Sequence, residues 1–599
     1  MTKKLTLFLS LFLCLAGSIV VTKAQKNELV IPGVLEGPIY NIRMHDSVTT
    51  TFFDGQNVPT IGMNEMSYLA PTMILNAGDS IKINVTNELK DTSTMHWHGL
   101  HVSPTNDGGP ETVIAPDSTW NINFKVLDAA GTYWYHPHLH HKTNKHVALG
   151  AAGLLIVRDD EETTLDLPQT YGVDEFPLII QDKRFGSVNG DTVIEYQSVD
   201  NENNITRYGL GNTMMVNGVI DPYQNVPAQM VRYHTLNGSQ DRSYLISLCN
   251  DSDNQCNANG QSQIPFYIVG TDGGLFKNTI EVTEYLLGPG ERIQMILDFS
   301  YYENDTMKLI STPAYLPYGV SGNGVDGPTE PGDLGDVTKP LPILDFIVGA
   351  PTIDAKYTIP YYLSDFTKWA ENDVDKERTK TFYSQGGGVF DINHTLFDMN
   401  VINDTVKLDD IEIWTLIDSS GASHPFHIHD IQFYILEMLD SNGVSVMKPY
   451  LQGKKDVVMV PANGSVRFIT KFETFFNEPG DKTAYMYHCH ILPHEDNGMM
   501  GQFIVVKDPL VLSFEDEDVN PITVFPNPTN GLVAISGLDE LTNPKIIIYN
   551  AVGEVVKDLS FVKGGDAKNI DLSNVTSGVY ILNVISEGKS FSRKIIIRD

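Results

Sequence analysis

The stretch Tyr487-His488-Cys489-His490-Ile491-Leu492-Pro493-His494, running on to Met499, packs a thiol, three imidazoles and a thioether into thirteen residues. Cysteine, two histidines and a distant methionine form the donor set of a blue-copper electron-transfer site. Cys489, His494 and Met499 supply three of those donors, so a second histidine must come from elsewhere. On a strand spanning Tyr485–Ile491, side chains alternate between faces. His488 and His490 then point one way and Cys489 the other, and one strand touches two metal centres on opposite sides. That requires further histidines. The chain carries His96-Trp97-His98, His136-Pro137-His138 and His424-Pro425-Phe426-His427-Ile428-His429.

His-x-His occurs at His96/His98, His136/His138, His427/His429 and His488/His490. On a strand each pair projects from one face. The eight imidazoles of these four pairs can converge between two domains and hold several metal ions. Imidazole suits copper, zinc and iron, and the thiolate–thioether site tilts the choice to copper. One such pair alone is compatible with a polar surface strand; four pairs with His-Cys-His in one chain argue against it. His45, His101, His140, His141, His146, His234 and His394 are expected in surface or hydrogen-bonded structural roles. His140 and His141 are near enough in sequence to lie just behind the cluster. The remaining methionines are scattered, with no methionine-rich copper-collecting loop.

A chain of 599 residues, 41% hydrophobic and 19% charged, is globular and long enough for several domains. Its net charge of −34 argues against binding a phosphate backbone. Lys3-Lys4, the apolar run Leu5–Val21 and Ala24 read as a secretory signal peptide over residues 1–24 rather than an anchoring helix. Cys14 follows bulky Leu13 and is not expected to carry lipid. Cys249 and Cys256, close together in a polar loop, are compatible with a disulfide or with two free thiols.

From about Asn27 the pattern is all-β, with short apolar runs such as Ser80–Val85, Asn121–Val126 and Leu154–Val157 between turn residues. Ala115–Phe124, Gly288–Leu297 and Val460–Ile469 repeat a turn followed by an alternating strand. Tyr133-Trp134-Tyr135-His136-Pro137-His138 matches Tyr485-Met486-Tyr487-His488-Cys489-His490, and each precedes a similar strand, Gly153–Val157 and Gln502–Val506. Three related β units follow, at 27–160, 175–350 and 355–507, with the metal histidines confined to the outer two and the middle one structural. The acidic segment 508–521 reads as a linker. Residues 522–599 form a small β module with Lys545–Tyr549, Gly578–Val584 and Phe591–Ile597 as strands; it contains no Cys or His.

The four histidine motifs resemble those of multicopper oxidases, the laccases, bilirubin oxidase and bacterial cuprous oxidase, over most of Asn27–Lys507. The resemblance implies three cupredoxin-like β-sandwich domains and four copper ions. It makes His424, Cys489, His494 and axial Met499 the type 1 ligands. His96 and His427 would hold type 2 copper. His98, His136 and His490 would hold one type 3 ion, and His138, His429 and His488 the other. Methionine at 499 implies a lower type 1 potential than leucine or phenylalanine would give. The implied reaction takes single electrons from a small reducing substrate at type 1 copper. They pass from the Cys489 sulfur through the backbone to His488 and His490, and O2 becomes water at the trinuclear cluster. By position Asp107 and Glu495 resemble the family's proton-relay acids, although Asp107-Gly108 also suits a plain turn.

Residues 522–599 resemble a type A sorting domain of the type IX secretion system, through Pro526-Asn527-Pro528-Thr529-Asn530-Gly531, Ile548-Tyr549-Asn550 and Ser577-Gly578-Val579-Tyr580. A carbohydrate-binding or adhesive module is the alternative. The resemblance implies a monomer exported through the periplasm and outer membrane by that machinery, secreted or cell-surface, with no transmembrane segment once mature. Donors within the family's range are phenols and aromatic amines, Cu(I) and other metal ions, and bilirubin-like tetrapyrroles. A non-enzymatic copper-binding protein would be signalled by lost ligands, and none is lost. A copper nitrite reductase would not need this full set in one chain.

Overall fold

The computed structural model describes residues 26–598, apart from 54, 200–204, 208, 252–263, 323–333, 335–338, 479–480, 508–521, 539–540, 543, 551–553, 561–566 and 587–588. The expected leader, the linker, Cys14 and Cys256 lie outside the described residues. Cys249 is disulfide-bonded. Among the described residues no helix is long and apolar enough to cross a membrane.

Strands dominate because the apolar residues alternate. Ser80–Glu88 buries Ile81, Ile83 and Val85 and turns Ser80 and Lys82 to solvent, the pattern of a sheet with one wet face. The chain folds as three cupredoxin-like β-sandwiches followed by a smaller β domain. Contacts divide it into two compact units, Met1–Lys507 and Asp508–Asp599. Each sandwich has its own core. Trp97, Tyr133 and Leu155 lie in the first, Tyr233, Met295 and Phe346 in the second, and Trp414, Phe468 and Phe503 in the third. Each fully buried side chain of this size contributes on the order of 2 kcal/mol. In the second unit Ile546, Ile548, Leu582 and Val584 fill a separate core.

The outer sandwiches repeat one local design. In the first, His96–His98 pairs antiparallel with Gly131–His136, which pairs with Gly153–Arg158. In the third, His424–Ile428 pairs with Tyr485–Cys489, which pairs with Met500–Val506. Gly153 lies opposite Tyr135 and Gly501 opposite Tyr487. A Cβ on either glycine would fall 2.4–2.5 Å from that tyrosine's ring or hydroxyl. Only glycine lets each tyrosine lie across its sheet. The turns that open the three repeated strands also share a device: Asp117, Gly290 and Asn463 are all left-handed.

A buried ion cluster joins the first and middle sandwiches. Glu175 takes Arg158 Nη1 at 2.8 Å and His234 Nε2 at 2.7 Å, with Arg232 Nη1 at 3.4 Å; Arg232 Nη2 also lies 2.6 Å from Glu162. Burial alone would raise the Glu175 pKa, but His234, Arg158 and Arg232 outweigh it and hold the carboxylate low. Removing one partner strands a buried charge. We therefore expect Arg232→Met to cost about 3–5 kcal/mol, read as a lower melting temperature. An unchanged melting curve would show that the cluster adds nothing to stability.

Candidate metal centre

The strand Tyr485–Cys489 is buried along its whole length, because one face meets its own core and the other meets the first sandwich. It ends two residues earlier than the sequence pattern predicts, yet the alternation carries through His490. Cys489 faces the third core with Met499, while His488 and His490 join the other histidines.

On the core side, His424 Nδ1 lies 3.5 Å and His494 Nδ1 3.6 Å from Cys489 Sγ. The Ser420 hydroxyl donates to Asp418 at 2.6 Å and accepts His424 Nε2–H at 2.8 Å. That fixes the tautomer and leaves Nδ1 bare toward the sulfur. Nothing in the sequence pattern singled out Ser420 or Asp418. Met499 is fully buried; its carbonyl accepts the Cys489 amide at 3.1 Å, and its own amide donates to His494 O at 2.9 Å. Burial pushes the Cys489 thiol well up, and a metal ion is what would turn so buried a sulfur into a thiolate.

On the other side, His96, His98, His136, His138, His427, His429, His488 and His490 share one closed space, each at most 1% exposed. Four groups lie within metal-holding distance: His98 with His136 and His490, His138 with His429 and His488, His96 with His427 and His429, and His98 with His427 and Asp456. The rings stack across the sandwiches, His96 on His429 at 3.9 Å and His98 on His427 at 3.7 Å. This is a pseudo-twofold arrangement. Exchanging His96 for His427, His98 for His429, His136 for His488 and His138 for His490 converts the first group into the second.

Two aspartates follow the same symmetry. Asp107 accepts His96 Nδ1–H on its carbonyl and His429 Nδ1–H on its carboxylate, both at 2.8 Å. Asp456 accepts His427 Nδ1–H on its carbonyl at 2.9 Å and His98 Nε2–H on its carboxylate at 3.2 Å. His136 donates Nδ1–H to Pro137 O, and His488 donates to Cys489 O, each at 3.0 Å. Their opposite nitrogens point inward. Nε2 of His96, His136, His427 and His429 and Nδ1 of His98 have no hydrogen-bond partner. Nε2 of His138 and His488 face each other at 3.1 Å. Burial and neighbouring rings lower the imidazole pKa values, to about 3 for His136 and for His488. Neutral, tautomer-fixed and lone-pair-inward rings suit bound metal ions.

Glu495 is buried, 3.3 Å from His488 Nδ1 and 3.6 Å from His138 Nδ1, and burial raises its pKa well above the usual carboxylate range. Burial does the same to Asp107, reinforced by Asp430 and Glu111. Of the histidines assigned bland roles, His234 bonds Glu175 and Thr132, and His45 bonds Asn64 O. His141 donates to Asp496 O at 2.6 Å, next to Glu495. His101 does more than a surface residue: its Nδ1 lies 2.9 Å from Asp430 Oδ1, tying the first sandwich to the third beside His429.

Residues 45–162 and 366–509 match the multicopper oxidase family, and residues 523–598 match the secretion system C-terminal sorting domain. The chain is 32% identical to the multicopper oxidase mco of Staphylococcus aureus, over 80% of this chain and 93% of that one. It is 28% identical to the cell division protein FtsP of Photorhabdus laumondii, over 83% of this chain and 96% of that one. The structure of a bacterial laccase-like multicopper oxidase from a lignin-degrading Ochrobactrum species superposes with a TM-score of 0.66. It is 29% identical, covering 80% of this chain and all of that one.

The His101 pair makes stability depend on pH. Burial lowers the His101 pKa, but the carboxylates of Asp430 and Asp128 outweigh it and raise it to about 9. A raised histidine stabilises fully below its unfolded value of about 6.5, and that stability is lost as pH climbs through the folded value. The melting temperature should therefore fall between pH 6.5 and about 9, and His101→Gln should flatten that decline. An equal slope in both proteins would remove His101 from the account.

Proposed function

Because this chain belongs to the multicopper oxidase family, we propose that it is a laccase-like oxidase that couples one-electron oxidation of phenolic or related aromatic donors to four-electron reduction of O2. The observation that carries the reading is one strand serving two donor sets, with Cys489 on one face and His488 and His490 on the other. On this reading His424, Cys489, His494 and Met499 hold type 1 copper, and His96 and His427 hold type 2. His98, His136 and His490 hold one type 3 ion, and His138, His429 and His488 the other. Copper held by these residues would supply one-electron chemistry at the first site and O2 reduction at the other.

The chain's own residues do the rest. Cys489 is joined to His488 and His490 by covalent backbone, and the His488 Nδ1–H to Cys489 O bond shortens the first route. His494 is the less buried of the two imidazoles beside the sulfur, with the Phe390 ring 4.4 Å away. An aromatic edge at the outermost donor favours a flat organic reductant. Leu396, 44% exposed, packs near Gly498 and adds apolar surface. Glu495 and Asp107, whose pKa values burial raises, lie against the cluster histidines where a carboxyl group can pass a proton. The complete ligand set argues against a binding-only role such as a cell-division protein of this fold would suggest. The C-terminal domain would direct type IX export of a monomer to the cell surface or medium, with removal of the tail. A metal-ion oxidase and a bilirubin-oxidase-like activity remain the alternative donors.

Copper-loaded protein lacking residues 1–24 and 508–599 should show an intense blue band, a near-ultraviolet shoulder and four coppers per chain, and should consume O2 with a phenolic dye. Faster uptake with Cu(I) than with any phenol would reassign the donor. A blue band without O2 uptake from any donor would overturn the oxidase reading. Glu495→Gln should keep the blue band and its anaerobic bleaching by donor while O2 uptake falls about 10²–10⁴-fold. Wild-type uptake in that variant would take Glu495 out of proton delivery.

A further inference from the structure

The middle sandwich supplies no residue to any metal-capable group among the described residues, and the sequence pattern suggests a purely structural part. Its contacts say otherwise. We propose that the middle-domain turn Gly288–Arg292 positions the ligands His98, His136 and His490, and so sets how tightly that half of the cluster binds metal. The proposal rests on the copper reading above.

Each of the three histidines is backed from this turn. Gly290 is left-handed at φ +77°, and a Cβ there would fall 2.7 Å from His490 Cγ and Cδ2. The backbone therefore lies directly against the ring. The turn cannot retreat, because Gly290 N–H donates to Asn237 O at 2.9 Å, and the Asn237 side chain is itself pinned to Arg242 O and Leu287 O.

Arg292 reaches His98 through Asp456. The guanidinium is fully buried and grips both carboxylate oxygens, Nη1 to Oδ1 at 2.6 Å and Nη2 to Oδ2 at 2.5 Å. A planar fork of this kind fixes the plane of its carboxylate as well as its place. Oδ1 is also the atom that accepts His98 Nε2–H, and the Asp456 carbonyl accepts His427 Nδ1–H. Arg292 itself is aimed by Asp272, which accepts its amide at 2.8 Å, and Lys455 bridges Asp272 and Glu291.

The third contact runs to the strand of His136. Arg292 Nε donates to Thr132 O at 3.2 Å, and the Thr132 hydroxyl pairs with middle-domain His234 Nδ1 at 2.6 Å. Thr132 lies on Gly131–His136, whose Trp134 stacks on the His136 ring at 4.0 Å. The symmetry-related histidines differ. The hydrogen bonds and ion-pair contacts of His138, His429 and His488 run to Thr94, Asp107, Met486, Cys489 and Glu495 and to one another, all in the outer sandwiches.

The test is a copper titration of metal-free wild type, Gly290→Ala and Arg292→Lys, following the blue band and the near-ultraviolet shoulder together. Gly290→Ala changes no charge and presses on His490. Arg292→Lys keeps the charge but loses the fork. Both should saturate the blue band at the wild-type copper concentration, while the shoulder needs about 10- to 100-fold more copper. A general loss of stability would move both signals together, so their ratio isolates positioning. A wild-type ratio in both variants overturns the proposal and leaves the oxidase reading standing. A wild-type protein that shows no shoulder at all overturns that reading and this proposal with it.

Discussion

Of the eight imidazoles closed off from water, six satisfy one nitrogen with a hydrogen bond and turn the other inward, while both nitrogens of His490 and Nδ1 of His138 have no hydrogen-bond partner. A protonated ring would place a positive charge against several more, and an unpaired N–H would cost on the order of 1–3 kcal/mol. The structure meets this demand for six of the rings with backbone and carboxyl acceptors. The carbonyls of Asp107, Pro137, Asp456 and Cys489 and the carboxylates of Asp107 and Asp456 each take one N–H. Those bonds fix the tautomers and aim the lone pairs inward. The sandwich packing around them serves to bring two strands of different sandwiches close enough for His98 to lie on His427 and His96 on His429.

The period of a strand gives this arrangement its economy. One alternation separates Cys489 from its two flanking histidines, so a single strand carries both sites with no loop between them. The same alternation puts His96 and His98 on one face of the first sandwich, and internal repetition supplies the matching pair from the third. A twofold relation then follows from two copies of one local design meeting face to face. It extends to the glycines under Tyr135 and Tyr487 and to the paired aspartates.

How much of this could be read in the chain depended on sequence distance. The His-x-His pairs, the turn–strand repeats and the second unit were legible because each signal is local: alternation, a turn cluster, a run of apolar residues. The convergence of the donors was legible because no other use accommodates so many histidines beside His-Cys-His. Partners drawn from far away were not. Asp456 sits in an ordinary Lys-Lys-Asp-Val-Val strand opening, and Arg292 in an ordinary alternating strand. Nothing in either segment indicates that they meet at 2.5–2.6 Å beside His98. Ser420 and Asp418 read as turn residues, although their bonds orient His424. His101 is three residues beyond a metal motif and reads as a surface or hydrogen-bonded residue, but its partner Asp430 could not be named because it is more than three hundred positions away.

The twofold relation is broken at one place, and the middle sandwich breaks it. Asp107 and Asp456 hold symmetry-related histidines, through Nδ1 of His429 on one carboxylate and Nε2 of His98 on the other, and their surroundings have opposite charge. Asp456 is clamped by Arg292 with Lys455 close behind, whereas Asp107 faces the acids Asp430 and Glu111. A carboxylate in a bidentate ion pair has its oxygens committed and its orientation set, which suits a fixed post. A buried carboxyl with acids for neighbours has its pKa raised further. In the half that holds His98 the middle sandwich clamps Asp456 through Arg292, whereas in the other half its Arg207 and Gln240 meet the helix that carries Glu495. On the proposed function, a domain that contributes no ligand thereby gives a symmetric cluster a binding side and a proton side.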